Sequence, residues 1–354
     1  PEVTFPRRNE RVTIDPTART RLALEAEQVL YRFGVGGAAA SRARAMALAA
    51  DHELRRAELD LVRDVRQAVY RLLKAEAGMR TAEQALALAR EQQRITAALF
   101  EREQVARLEV LEAERAVAEA ETGRSGAASG LRLARAELNR LLGRPLAAPI
   151  ALRPPTVLPP VPEPTERLIE RALASRPEIA ALDAAIAAAE SGARLARSEG
   201  KPEVSLLGGY ELQTPSAFVP RSGWRATLQV TAPLFESARV RYNVREAEEH
   251  AAALRSEREA LGQGIRLEIE AARLAMEDAR QRYELAQRAE SAAAEAYRLT
   301  ALRFELARTT PTELAAARFA WTRAQADRDG AFFDVWIAHA QLERALGAPF
   351  APQR

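Results

Sequence analysis

The sequence predicts a mainly α-helical protein with a small β part, in which a β-hairpin followed by a long α-hairpin occurs twice. Three observations carry this expectation. No proline interrupts the chain from Arg42 to Gly143. That run is duplicated: with Gly143 placed on Gly347, a spacing of 204 residues (347 − 143) holds without a gap back to Leu24 on Leu228. Identical pairs along it include Ala68/Ala272, Thr96/Thr300, Phe100/Phe304, Glu109/Glu313, Leu138/Leu342 and Arg140/Arg344. Finally, apolar residues 47% of the total but aromatics only 5% mark an Ala/Leu-rich chain, the composition of long helices rather than of an aromatic globular core.

Taken in order, residues 1–31 read as the first β-hairpin. Pro1–Phe5 and Arg11–Asp15 are short β-like pieces, and Leu22–Tyr31 alternates apolar with polar. Its counterpart Ala226–Phe235 alternates in phase. Leu22, Leu24 and Ala26, or Ala226, Leu228 and Val230, make one face; Glu25 and Glu27, or Thr227, Gln229 and Thr231, make the other. Period two is the strand signal. Such a strand suits a half-buried sheet edge or a barrel wall with lipid on one side and water on the other. Four strands per chain cannot close a barrel alone, so closure requires several chains.

Residues 32–143 form the first long α-hairpin. Leu61, Ala68, Ala75, Ala82 and Ala89 recur every seven residues, interleaved with Val65, Leu72, Met79 and Leu86. In the second copy Ile265, Ala272, Ala279, Ala286 and Ala293 keep the series, while Ile269, Met276 and Tyr283 continue the other until Glu290 breaks it. A seven-residue repeat means left-handed supercoiling, and alanine in the seam lets helix axes approach closely. At about 1.5 Å per residue, Gly37 to Phe100 gives roughly 95 Å of helix. A short break near Glu101–Arg107 separates it from the returning helix.

Residues 144–164 are a proline-rich connector, extended and semi-rigid. Residues 165–201 are an alanine-rich lead-in helix, where Pro177 fits a kink or a new helix start. Residues 202–235 give the second β-hairpin, with a polar loop at Gln213–Ser222, residues 236–347 the second α-hairpin, and 348–354 a tail. The first hairpin has no such lead-in, and the chain starts at Pro1, so a targeting segment and a further helix are expected outside these residues.

Several function classes find no support. A net charge of +3 provides no concentrated basic stripe for nucleic acid. Zero cysteine removes thiol chemistry, and no apolar run of about 18 residues offers a spanning helix. His52, His250 and His339 are scattered without companion ligands, and there is no phosphate loop or nucleophile elbow. No catalytic, cofactor or metal site is expected. Acids just past the helix breaks, Glu109 and Glu313, can serve as helix-start caps or line an opening.

The order hairpin, long helix, tip, return helix, proline connector, helix, then the same again resembles the TolC-type outer-membrane efflux proteins. The residues that carry the resemblance are Arg176-Pro-Glu-Ile-Ala-Ala-Leu182, Ala232-Pro-Leu-Phe235, Arg303-Phe304 before the tip, and the endings Leu141-Leu-Gly143 and Ala345-Leu-Gly347. The resemblance implies a homotrimer whose strands close a 12-strand transmembrane β-barrel in the outer membrane of a Gram-negative bacterium. That barrel continues as a periplasmic α-helical barrel. It further implies a passive exit duct of a tripartite efflux or type I secretion system, working with a periplasmic adaptor (membrane fusion) protein and an inner-membrane pump. Outer-membrane lipid would surround the barrel, with Glu25, Glu27, Thr227, Gln229 and Thr231 toward its lumen. Phe304, Arg308, Glu313, Glu109 and Glu112 would stand at the periplasmic gate. Phe304 replaces the gate tyrosine of the family, Arg308 lies one position from its arginine, and Ala316 replaces one of its acids. Phe100, Arg107, Thr309 and Pro311 at the helix tips would meet the adaptor. Two other readings are a periplasmic adaptor, which would need lipoyl-like and β-barrel domains around one hairpin, and a soluble structural coiled coil, which has no use for phased strands.

Overall fold

In the computed structural model, residues 2–4, 11–13, 21–213, 222–306 and 308–347 are described. Much of the first expected hairpin (residues 5–10 and 14–20), most of the loop 213–222 and the tail 348–354 lie outside them. Five strands and six helices follow one another: β1 Glu2–Thr4, β2 Arg11–Thr13, β3 Arg21–Arg32, α1 Val35–Glu101, α2 Arg107–Leu141, α3 Thr165–Ser175, α4 Pro177–Ser198, β4 Glu203–Gln213, β5 Ser222–Thr231, α5 Ser237–Glu305 and α6 Pro311–Ala345. No helix is long and apolar enough to cross a membrane among the described residues.

The chain divides into two compact units, residues 1–51 with 181–258, and 52–180 with 259–354. The first unit holds all the strands. Here the pairing differs from two separate hairpins. β1 pairs only with β2, in a two-stranded ladder, whereas β3 pairs antiparallel with β4, and β4 with β5. β4, with eleven residues, offers the twelve of β3 a ladder over nearly its whole length. Strands from both copies therefore share one sheet, β3-β4-β5, whose outer edges have no partner among the described residues. Also in this unit, the alanine face of α4 is buried at Ala184, Ala188, Ala193 and Ala196. Asp183 receives Arg258 at 2.5 Å and Glu190 receives Arg255 at 2.6 Å, tying α4 to α5.

In the second unit the seam is real but narrower than seven-residue spacing predicts. Ala68, Leu72, Leu86, Ala89, Ile265, Ile269, Ala272, Met276 and Ala279 are buried; Leu61 is exposed. Ala68 and Leu72 meet Leu138 of α2. Leu73 and Ala77 of α1 meet Phe333 of α6, so the two α-hairpins share a core. The largest cluster gathers Leu168 and Ala172 of α3, Ile179 of α4, Ile265, Ile269 and Met276 of α5, and Val335 and Leu342 of α6 with Leu346 just past its end. Glu290, the residue that breaks the repeat, accepts a hydrogen bond from Trp321 Nε1 at 3.1 Å, and that indole stacks on Tyr297. A carboxylate in a helical seam is tolerated here because it has a specific partner.

Two expected elements change form. The lead-in helix is two helices: α3 stops at Ser175, Arg176 is extended, and Pro177 begins α4, as a residue before proline avoids the helical region. The proline connector has no element of its own but lies on the helices. Ile150 and Leu152 pack on the α1–α2 cluster and Leu158 on the large one. Asn139 donates to the carbonyls of Leu146 and Ala148 at 3.0 and 2.9 Å, and Arg280 donates to that of Pro159.

Candidate functional site

Three regions carry the residues singled out in the sequence: the sheet, the helix tips, and the junction where α6 ends. In the sheet, register decides which side chains share a face, because residues directly opposite one another point the same way. Glu25 lies opposite Gly209, which lies opposite Arg225; Glu27, Leu207 and Thr227 form the next row. Val29, Ser205 and Gln229 follow, and then Arg32, Glu203 and Thr231. The five lumen candidates thus stand on one face. β4 adds Glu203 and Glu211 to it, and β3 and β5 add Arg21, Arg32 and Arg225, which sequence reasoning did not single out. For Arg21 and Arg225 the signal was available, since each sits an even number of positions from a named lumen candidate on its own strand; Arg32 is carried there by a register shift between Val29 and Tyr31, and Glu203 and Glu211 stand on β4, which held no named candidate.

The opposite face is apolar. It presents Leu22, Leu24 and Ala26 from β3, Leu206, Tyr210 and Leu212 from β4, and Trp224, Ala226, Leu228 and Val230 from β5, with Gln28 and Ser222 as polar exceptions. Nothing among the described residues covers it: Trp224 is 83% exposed, Leu24 75% and Leu228 64%. A contiguous apolar face of this extent is a surface that meets lipid or another protein.

At the tips, α1 ends in a turn that places Glu103 at φ 57, with Gln104 N–H on Leu99 carbonyl and Glu103 N–H on Phe100 carbonyl, both 2.9 Å. Glu109 then accepts the Ala106 N–H at 2.6 Å, and the Arg107 guanidinium lies 5.9 Å from the Phe100 ring centre. At the second tip the Thr310 hydroxyl accepts the Glu313 N–H at 3.2 Å, Glu313 accepts the Thr310 N–H at 3.3 Å, and the Thr309 hydroxyl donates to the same carboxylate. Pro311 opens α6. Both acids therefore close the starts of return helices, satisfying N–H groups that a helix leaves without partners. Phe304, Arg308 and Glu112 are exposed. Among the described residues no hydrogen bond or ion pair joins one tip to the other.

At the junction, two stretches far apart in sequence become one contact. Arg176, only 4% exposed, donates from Nε to the Ala345 carbonyl at 2.7 Å and pairs with Glu268 at 2.7 Å. The Ser175 hydroxyl donates to the Leu346 carbonyl at 2.7 Å. Arg344 reaches back to Asp60 and Glu178, each at 2.6 Å, and this pairing holds the Asp60 carboxyl below its usual range. The Arg176-Pro-Glu178 stretch thus holds the Ala345-Leu-Gly347 ending. Beside it His339 is buried near Arg66 and Arg280; burial first, then those charges, push it down to about 4. No cluster of three or more potential metal ligands occurs among the described residues.

Comparison with known proteins agrees with this architecture. The profile of the outer membrane efflux protein family matches residues 8–144 and 168–348, nearly the whole chain. No curated sequence matches. Among solved structures, the outer-membrane channel OprN superposes with a TM-score of 0.77 at 21% identity, covering 98% of this chain and 79% of that one. A membrane protein from Pseudomonas aeruginosa gives 0.76 at 20% identity, with 93% and 83% covered. The open state of the MtrE outer-membrane channel from Neisseria gonorrhoeae gives 0.75 at 20%, with 94% and 80% covered. At these identities the structural likeness speaks for the fold.

Proposed function

Because the chain belongs to the outer membrane efflux protein family, we propose that it is a passive exit duct: three copies close a 12-strand barrel in the outer membrane, and their helices continue it as a periplasmic tube. The observation that carries this reading is the two-faced sheet, whose edges are unpaired and whose apolar face is uncovered among the described residues. In lipid every backbone polar group needs a partner, so open β3 and β5 edges must be paired by further strands. The same face that would be a liability in water becomes the lipid contact, and the polar face becomes the wall of an aqueous path. Family relatives named here are channels rather than enzymes.

In this scheme the tips are the periplasmic mouth. Phe304, Arg308, Glu313, Glu109 and Glu112 are the gate candidates, and Phe100, Arg107, Thr309 and Pro311 the surface offered to a periplasmic adaptor coupled to an inner-membrane pump. Glu109 and Glu313 are engaged as helix caps within each chain, so the exposed Glu112, Phe304 and Arg308 are the side chains available to act between chains. The path itself does no chemical work; energy for export comes from the pump.

The test is the state of the full-length protein in membranes. Detergent extraction from the outer-membrane fraction should yield a trimer by light scattering, and omission of detergent should leave it aggregated or unextracted. A monomer or dimer stable without detergent overturns the duct and favours a soluble coiled coil.

A further inference from the structure

Ion pairs on the polar face of the sheet follow a pattern that singles out one residue. Arg21 pairs with Glu211 at 2.7 Å, Arg225 reaches across Gly209 to Glu25 at 3.3 Å, and Arg32 pairs with Glu203 at 2.5 Å. Every arginine of this face among the described residues is thus matched to a glutamate on another strand. Four glutamates stand against three arginines among the described residues of the sheet, and the one left over is Glu27. Its row holds Leu207 and Thr227, and the next holds Val29, Ser205 and Gln229, so the nearest charges along the face are pairs that already cancel.

We propose that Glu27 sets the charge preference of the aqueous path through the β-sheet, attracting cations and disfavouring anions at one level of the wall. This rests on the duct reading, in which the polar face lines water. Paired charges at short separation act on a passing ion as small dipoles, whereas a lone carboxylate acts as a full charge. Repeated in each copy of the chain, it makes a ring of acids, the arrangement by which channel walls favour cations. The three pairs would then supply polarity without sign. Selection along this stretch would belong to one residue rather than to the seven charged side chains of the face.

The 354 residues contain no cysteine, so a thiol introduced into the sheet is the only one in this stretch, and labelling of the unsubstituted protein sets the background. Thr227 lies two strand spacings from Glu27, about 10 Å, on the same face, and Leu228 lies on the opposite one. Thr227→Cys and Leu228→Cys are made in the full-length protein, and labelling rates are measured in outer-membrane vesicles. The reagents are a trimethylammonium and a sulfonate methanethiosulfonate. The thiol at 227 should react, with the cationic reagent favoured, and adding Glu27→Gln should lower the cation-to-anion rate ratio by about threefold or more at low salt. Arg225→Gln, which frees Glu25, should raise that ratio instead, and this opposite sign separates electrostatics from damage to the barrel. The thiol at 228 should be protected. If 227 reacts and 228 does not, yet neither charge substitution moves the ratio, the assignment of Glu27 is overturned while the duct stands. If 228 reacts as fast as 227, the duct reading itself fails.

Discussion

Two glycines in equivalent places of the duplicated chain have the same backbone and different surroundings. Gly143 and Gly347 have φ of 66 and 71, the left-handed turn that closes α2 and α6. A side chain at Gly143 would meet open space, but at Gly347 a Cβ would stand 2.9 Å from the Arg176 Cα. Gly143→Ala should therefore cost only the left-handed penalty, about 1–2 kcal/mol, whereas Gly347→Ala should cost clearly more because it also pushes apart the Arg176 junction. Thermal unfolding of the two variants, compared side by side, checks the order. His339 gives a second residue-scale expectation. Its folded value of about 4 lies below the ordinary 6.5, so the folded state refuses a proton that the unfolded chain accepts. Stability is then intact above about pH 6.5 and is lost as pH falls toward 4, on the order of 2 kcal/mol by pH 5. His339→Gln should flatten the dependence of melting temperature on pH between 7 and 5. Asp60, held low by its hydrogen bond to Arg344, titrates below that window and should leave this slope alone.

Among elements, the return helices α2 and α6 show what one residue does to a helix start. Thr310 caps α6 with its hydroxyl, while Ala106, its counterpart 204 positions earlier (310 − 106), has no side-chain acceptor for α2. Ala106→Thr should complete the reciprocal cap with Glu109 and stabilise the first tip by about 1 kcal/mol, and Thr310→Ala should loosen the second by a similar amount. Amide hydrogen exchange confined to residues 104–112 and 308–316 reads both, and unchanged protection in the two variants would refute the capping account. These elements also show what the sequence could reveal. Helix lengths, tip positions and the dual possibility for Glu109 and Glu313 were legible because prolines, glycines and the 204-residue spacing punctuate the chain. The break of the lead-in helix at Pro177 was legible as one of two options. The pairing of β3 with β4 was not, because period-two alternation marks a strand's faces but not its neighbour. Nor was the link between Arg176 and Ala345, which joins residues 169 apart.

For the whole molecule, the decisive question is which side of the sheet meets which solvent. Alternation placed Leu228 and Thr227 on opposite faces, and the register confirms that assignment across three strands. A single long cation therefore distinguishes the environments. On a lipid-facing strand surface an arginine near mid-membrane costs about 2–4 kcal/mol, falling toward zero near the interfaces, and Leu228 stands fourth from the α5 end of its strand. On the polar face an arginine is already accommodated at Arg225, two positions before Thr227. Leu228→Arg should sharply reduce the amount of protein recovered as outer-membrane trimer, whereas Thr227→Arg should assemble at near-normal yield and alter only what passes. Quantifying the detergent-extracted trimer from equal cell mass compares the two. Equal recovery would mean that neither face is buried in lipid. The apolar surface of Leu24, Trp224 and Leu228 would then have to be covered by protein, and the strands would no longer be the wall of a membrane channel.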